Sequence, residues 1–349
     1  MMPRYQHVHM TALGYELGPV VVTSAEIEER LAPAYARLNL QPGQLEAWTG
    51  IAERRWWQPA FQLSAGALAA ARKALRGSGV SAADLGAVIY AGVCRENFEP
   101  ATACAVADGL GVRGGAFVLD LSNACLGVLN GIIEVANRIE LGQIRAGLVV
   151  SCETAREINE IALARTLAGG GMAEFSQALA TFTGGSGAVA VLLTDGSFPG
   201  ARGPRLLGGI SEVAPEHHRL CRWGITPGQD GWHEQFMQTD SVAVLKHGVA
   251  LGQRTWSLLL EHLGWSAGAV DRVICHQVGS GHQEAILKSL AVPKEKDYTT
   301  YRFLGNMGTA ALPVTAAIAA ERGVLKPGQR VAFLGIGSGL TCLMLGLEW

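Results

Sequence analysis

The feature that most limits how this chain can fold is a plan that it runs through twice. In the first half, LSAGALAAARKAL at residues 63–75 is alanine-rich with helical periodicity and ends at the glycines of 77–79. An apolar run, LGAVIYAGV at 85–93, follows it. A run with no polar face predicts a strand covered on both sides. After a shorter strand over 117–120, the helical stretch CLGVLNGIIEVANRIELG leads into a second buried run, RAGLVVSCE. The second half keeps that order. Residues 256–263 read as the end of a long helix, 264–269 as a turn, and VDRVICHQV at 270–278 as a strand. Residues 285–290 read as a helix, and MGTAALPVTAAIAAERGVLKPGQRVAFLGIGSG as helix, turn and buried strand. Alternation alone marks any α/β protein. Here LGAVIYAGV matches VDRVICHQV in position, and LNGIIEVANRIELGQIRAGLVVS matches PVTAAIAAERGVLKPGQRVAFLG. The expectation is two similar α/β halves, residues 1–200 and 201–349, divided near 196–208, where DGSFPGARGPR collects turn formers. No long linker separates them, so a tight shared interface is expected, and such an interface is a natural place for a pocket.

Composition agrees and excludes several classes. With 49% hydrophobic and 17% charged residues over 349, the chain reads as a well-buried globular enzyme and not as a disordered segment. A formal net charge of -2, with basic pairs such as Arg54–Arg55 isolated, gives no reason to expect nucleic acid. MMPRYQHVHM lacks the features of a signal peptide, and the longest apolar stretches are broken before they reach membrane-spanning length. The seven cysteines, at 94, 104, 125, 152, 221, 275 and 342, form no CxxC pair, which argues against a zinc knuckle or redox dithiol. Most of them read as buried thiols in a reducing cytoplasm.

One cysteine stands out. Cys125 falls at a strand-to-helix transition in DLSNACLGVLNG, where exposed amides stabilise an anion and can lower a thiol pKa. The small neighbours Ser122, Ala124 and Gly127 would admit a substrate close to the sulfur. His276 follows strand residues 273–275 in the corresponding part of the second half, and Asn306, in FLGNMGTAAL, precedes another helix. If the halves pack about a pseudo-twofold axis, these ends converge on Cys125. An imidazole there can assist proton transfer, and with the Asn306 amide it can stabilise an enolate or oxyanion. Each residue also has a plain structural use: a packed thiol, a histidine on a buried carbonyl, a helix-capping asparagine.

The strings NACLG, ICHQVG, LGNMGTAALP and LGIGSGL together resemble the thiolase superfamily, and within it ketosynthases of the ketoacyl-ACP synthase III type, over essentially the whole chain. That resemblance implies a thiolase fold with two α/β halves in five αβαβα layers. It also implies a catalytic set of Cys125, His276 and Asn306, with the backbone amides of Cys125 and Ser338 receiving the oxyanion. A closer resemblance, through VTSAEIEERLAPAYARLNL, GIAERRWWQPA, RENFEPATA and LGIGSGLTC, is to the head-to-head condensing enzymes of bacterial long-chain olefin synthesis. In that subgroup a glutamate of the E-P segment, matched by Glu99, enters the neighbouring subunit's active site. The resemblance implies a cytoplasmic homodimer that needs no cofactor beyond its coenzyme A thioester substrates. It would condense two long-chain acyl-CoAs without decarboxylation, release a β-keto acid and supply downstream pathway enzymes. The alternative is decarboxylative extension with malonyl-ACP or malonyl-CoA.

Several segments stay open. GGSGAVAVLLTDG lacks the lysine and hydroxyl residue of a P-loop and the spacing of a dinucleotide fingerprint, so it reads as a structural turn into a strand. Residues 172–182, with Phe175, Leu179 and Phe182, and 221–238, with Trp223, Trp232, Phe236 and Met237, either line acyl channels or are amphipathic helices on the core. Arg222 and Arg302 either contact coenzyme A phosphates or are solvated surface residues. Histidines and acids are too dispersed for an evident metal set, with His217–His218 the one pair worth testing.

Overall fold

A computed structural model describes residues 4–200, 202–227 and 233–349. Its first half carries the strands Phe117–Asp120, Leu85–Tyr90 and Ala146–Glu153 side by side in parallel. Gly187–Thr194 and then His9–Leu17 extend them, each antiparallel to its neighbour. The second half repeats those orientations with Arg272–Cys275 parallel to Arg330–Gly337, followed by antiparallel Thr341–Glu348 and Arg205–Val213. The counterpart of Phe117–Asp120 is reduced there to one bridge, Val273 to Asp297. The halves join through the pair His9 and Arg205.

Strand side chains alternate between faces, and here both faces are apolar, which is why the strands read as unbroken apolar runs. Ala146–Glu153 and Gly187–Thr194 are buried along their whole length. Ala87 and Ile89 of the first half, and Ile274, Phe333, Leu343 and Leu345 of the second, enclose the helices Gly127–Glu140 and Ala311–Glu321 in a common cluster. The opposite faces are covered separately. Val88, Tyr90, Leu148 and Val150 pack under Leu63–Leu75 and Thr102–Leu110. Val273, Ala332, Leu334 and Met344 pack under Ser241–Leu263 and Ser280–Ser289. Helix, sheet, helix, sheet, helix is the five-layer thiolase architecture. The two central helices share one apolar cluster between the sheets, and the loops that start them meet at the seam between the halves, where Thr309 bonds the Val128 amide.

The structure corrects the sequence reading in places. The strand over 270–278 is only Arg272–Cys275. It stops because the Gln277 amide turns the chain, donating to the Cys275 carbonyl (2.7 Å) and accepting from the Thr300 (2.8 Å) and Tyr301 (3.1 Å) amides. Residues 221–238 are not a helix: Cys221–Pro227 and His233–Thr239 pair as an antiparallel ribbon, and Trp232 lies outside the described residues. Met172–Phe182 is helical, but Phe175 and Phe182 point into a separate cluster with Ile27, Leu31 and Tyr35. Among the described residues, no helix is long and apolar enough to cross a membrane.

Candidate active site

The chain leaves Phe117–Asp120 and must turn sharply to enter Gly127–Glu140. Ala124 makes that turn in the left-handed region at φ 46, a strained choice for a residue with a Cβ, costing about 1–2 kcal/mol. The Leu126 amide donates to the Asn123 carbonyl (2.9 Å), and Asn123 Nδ2 donates to Asn130 Oδ1 (2.8 Å), which locks the turn onto the helix. Cys125 is thereby set just outside the helix start and partly exposed to a cavity. The helix has no capping side chain of its own. Instead Thr309, from the other half, accepts the Val128 amide on its hydroxyl at 2.7 Å. The two loops are therefore fixed against each other by a direct bond.

Asn306 sits on the matching turn, between Gly305 at φ 66 and Gly308 at φ 56. Its backbone N–H donates to the Thr183 carbonyl and its carbonyl accepts from Gly185, both at 2.9 Å. Its Oδ1 accepts the Gly308 amide at 3.0 Å, which leaves the two Nδ2 donors for the cavity. His276 follows the end of Arg272–Cys275 and donates its backbone N–H to the Leu334 carbonyl (3.0 Å). The residue is 8% exposed, and its Nδ1 has no hydrogen-bond partner among the described residues. Ser338 lies on the same wall. A Cβ built on Gly337 would stand 3.5 Å from the Cys125 amide nitrogen, so the GIGSG turn passes directly beside the Cys125 loop.

The cavity measures about 840 Å³, within the usual range for a small-molecule site, and its walls are mainly apolar. Cys125, His276, Asn306, Ser338 and Arg222 all line it. Leu179, Trp223, Phe236 and Met237 also face it. Arg222 lies over the Phe236 ring, 5.4 Å from its centroid. Two expected residues are elsewhere in this chain. Arg302 pairs with Glu46 at 3.2 Å on the surface, and Glu99 lies on an exposed loop beside Phe98, which is 95% exposed. His217 lies against His247, ring centroids 3.8 Å apart and the planes tilted by 32°. Among the described residues, no group of three or more His, Cys, Asp or Glu is placed to hold a metal.

The electrostatics differ from the expectation of a low-pKa thiol. Burial pushes the Cys125 thiol up to about 12, and the nearby Cys221 and Glu153 add to the rise. Desolvation outweighs the lowering by the backbone hydrogen bond at Cys125. Burial, with His282 close by, holds the His276 imidazole down at about 4. The resting site thus contains a neutral thiol, a neutral imidazole and a neutral amide. Sequence reasoning missed Glu153, a buried carboxyl in the cavity wall whose pKa burial raises to about 7. Its signal was an acid closing the apolar run RAGLVVSCE, at the carboxyl end of a strand, where α/β proteins place functional groups.

Five layers, with a thiol, an imidazole and an amide gathered from two halves into one apolar cavity, define a thiolase-superfamily condensing enzyme of the ketoacyl synthase III type. The profile of the 3-oxoacyl-[acyl-carrier-protein] synthase III C-terminal family matches residues 260–349. The chain is 53% identical to the acyl-CoA:acyl-CoA alkyltransferase of Shewanella oneidensis, covering 99% of this chain and 100% of that protein. It is 36% identical to the Xanthomonas campestris protein of the same description, over 99% of each. A Xanthomonas campestris OleA structure with bound lauric acid and lauroyl-CoA, a cysteine-to-serine variant, superposes with a TM-score of 0.92 at 36% identity, covering 99% of this chain and 100% of that one. This chain belongs to the acyl-CoA:acyl-CoA alkyltransferase family.

Proposed function

We propose that the chain joins two long-chain fatty acyl-CoAs head to head by non-decarboxylative Claisen condensation and releases a β-keto acid, the opening step of olefin synthesis. The observation that carries this reading is the single apolar cavity shared by Cys125, His276 and Asn306, in a chain 53% identical to a protein described as an acyl-CoA:acyl-CoA alkyltransferase. The half formed by residues 1–200 supplies the thiol, and the half formed by 201–349 supplies the imidazole and the amide.

Cys125 Sγ attacks the thioester carbonyl of the first acyl-CoA, and the thiol proton leaves with coenzyme A. Because the thiol is neutral at rest, its proton moves during the attack, with the neutral His276 ring positioned to relay it. The Cys125 and Ser338 amides receive the oxyanion. A second acyl-CoA then places its thioester oxygen against His276 and the Asn306 Nδ2 donors. Glu99 of a second copy takes a proton from the adjacent carbon. The enolate attacks the Cys125 thioester, forming the carbon–carbon bond, and the departing sulfur recovers that proton. Hydrolysis of the remaining thioester by water gives the β-keto acid and coenzyme A. Arg222, at the cavity wall, is assigned to the coenzyme A phosphates. Arg302 fits that role less well, being paired with Glu46.

The cross-subunit role proposed for Glu99 requires a homodimer. Residues 95–100 of its loop are exposed and none of them lines its own cavity, Phe98 is 95% exposed, and Phe117–Asp120 is an outermost strand with one edge unpaired among the described residues. Intact-protein and product mass spectrometry test the assignments together. E99A should still acylate Cys125 but lose condensation, and C125A should lose both. Near-normal condensation by E99A removes it as the base, and covalent acylation of C125A removes Cys125 as the nucleophile.

A further inference from the structure

Glu99 lies on the segment that leaves Leu85–Tyr90 and enters the helix Thr102–Leu110. Residues 95–100 of this segment are all exposed, so its position depends on how its two ends are held. Both ends are gripped by carboxylates that terminate neighbouring strands. At the far end, Asp120 takes the Thr102 amide on Oδ2 and the Ala103 amide on Oδ1, both at 2.9 Å. At the near end, Glu153 takes the Val93 amide on Oε1 (2.8 Å) and the Cys94 amide on Oε2 (3.2 Å). The Tyr90 hydroxyl, 2.7 Å from the Cys94 carbonyl, and the Cys94 thiol, 3.4 Å from the Thr154 carbonyl, complete that grip. Between the ends, Glu96 accepts the Ser64 amide (2.7 Å) and hydroxyl (2.8 Å).

Glu153 differs from the other holding groups because it is 3% exposed and also faces its own chain's cavity, in the same wall as Cys125 and Gly308. A carboxylate there has two possible uses. It could act on the substrate in its own cavity, or it could act through the loop on the reaction in the partner's. The hydrogen bonds favour the second, since each oxygen is already committed to a backbone donor of the loop, and such paired charge-assisted bonds are strong and directional. We infer that Glu153 is a positioning residue for the partner's reaction: it fixes the near end of the loop that delivers Glu99. This rests on the reading of Glu99 as a base acting across subunits. A general base misplaced by about 1 Å loses much of its effect, so loosening one end of the loop is expected to slow condensation without touching acylation.

Heterodimers with separate affinity tags test the inference. One protomer carries C125A, so a single cavity is live. E153Q is then placed either on the C125A protomer, whose loop serves the live cavity, or on the protomer that owns that cavity. Condensation from myristoyl-CoA should be about tenfold lower in the first arrangement than in the second, and in the first arrangement, where the live cavity keeps its own Glu153, acylation of Cys125 should match that of the C125A heterodimer without E153Q. Equal rates in the two arrangements, or the reverse order, overturn the inference. Thermal melting of both heterodimers checks folding, and E153D in the same two arrangements replaces E153Q if the latter fails to assemble. E99A is run in parallel. If its effect follows the protomer that owns the live cavity, the cross-subunit base fails irrespective of what E153Q does.

Discussion

The same burial sets the charge states of Cys125 and His276, raising one pKa to about 12 and lowering the other to about 4. Both shifts work against a preformed thiolate–imidazolium pair at rest. This has a direct consequence for alkylation. The thiolate fraction grows with pH as long as pH stays below the folded-state pKa, and His276 is already neutral throughout that range. Iodoacetamide labelling of the Cys125 peptide, followed by mass spectrometry, should accelerate about tenfold per pH unit from about pH 7 to about pH 10 without levelling off. A plateau near neutrality would show an activated ion pair instead. Which residues could carry chemistry was largely legible. Cys125, His276 and Asn306 each sit where a strand ends or a helix begins, and the structure puts all three on one cavity. Their charge states were not legible, because desolvation depends on the facing half. Glu153 escaped notice because an acid after an apolar run reads equally well as the point where a strand meets water.

Helix starts at the seam are fixed by contacts that no local pattern encodes. The Val128 amide is satisfied by Thr309, 181 positions away, in place of the usual neighbouring cap. T309V keeps the shape of the side chain and removes the acceptor. It should cost about 1 kcal/mol of stability and slow acylation by loosening the turn that aims Cys125, while T309S should retain both properties. Melting temperatures and burst-phase acylation measure this, and a T309V protein that acylates at the native rate contradicts the role given to that bond. The central strands and helices could be read from sequence because two apolar faces leave a strong signal. The Cys221–Pro227 and His233–Thr239 ribbon could not. It is a separate two-stranded sheet, and residues such as Arg222 and Ile225 are exposed on it, so clean alternation never develops. The strand His9–Leu17 was missed for a related reason, since most of its residues are only half-buried.

The duplicated plan made the two halves recognisable, and the repeated strand order explains why the Cys125 and Asn306 turns face each other: they begin the two equivalent central helices. Under the proposed mechanism the base comes from a second copy, since Glu99 is exposed and does not line its own chain's cavity. Assembly and chemistry should then separate in a surface variant. F98D, which places a charge on a 95% exposed aromatic next to Glu99, should shift light-scattering mass toward the monomer, with acylation of Cys125 preserved and condensation lost. A fully dimeric, fully condensing F98D protein would put the interface elsewhere.

The most direct measurement supplies myristoyl-CoA as the sole acyl donor and identifies products by mass spectrometry, with and without isotopically labelled malonyl-CoA. Head-to-head condensation predicts a β-keto acid built from two myristoyl units, formed without malonyl-CoA and carrying no label when it is present. A condensed product that appears only with malonyl-CoA, and that incorporates its labelled two-carbon unit, would contradict it.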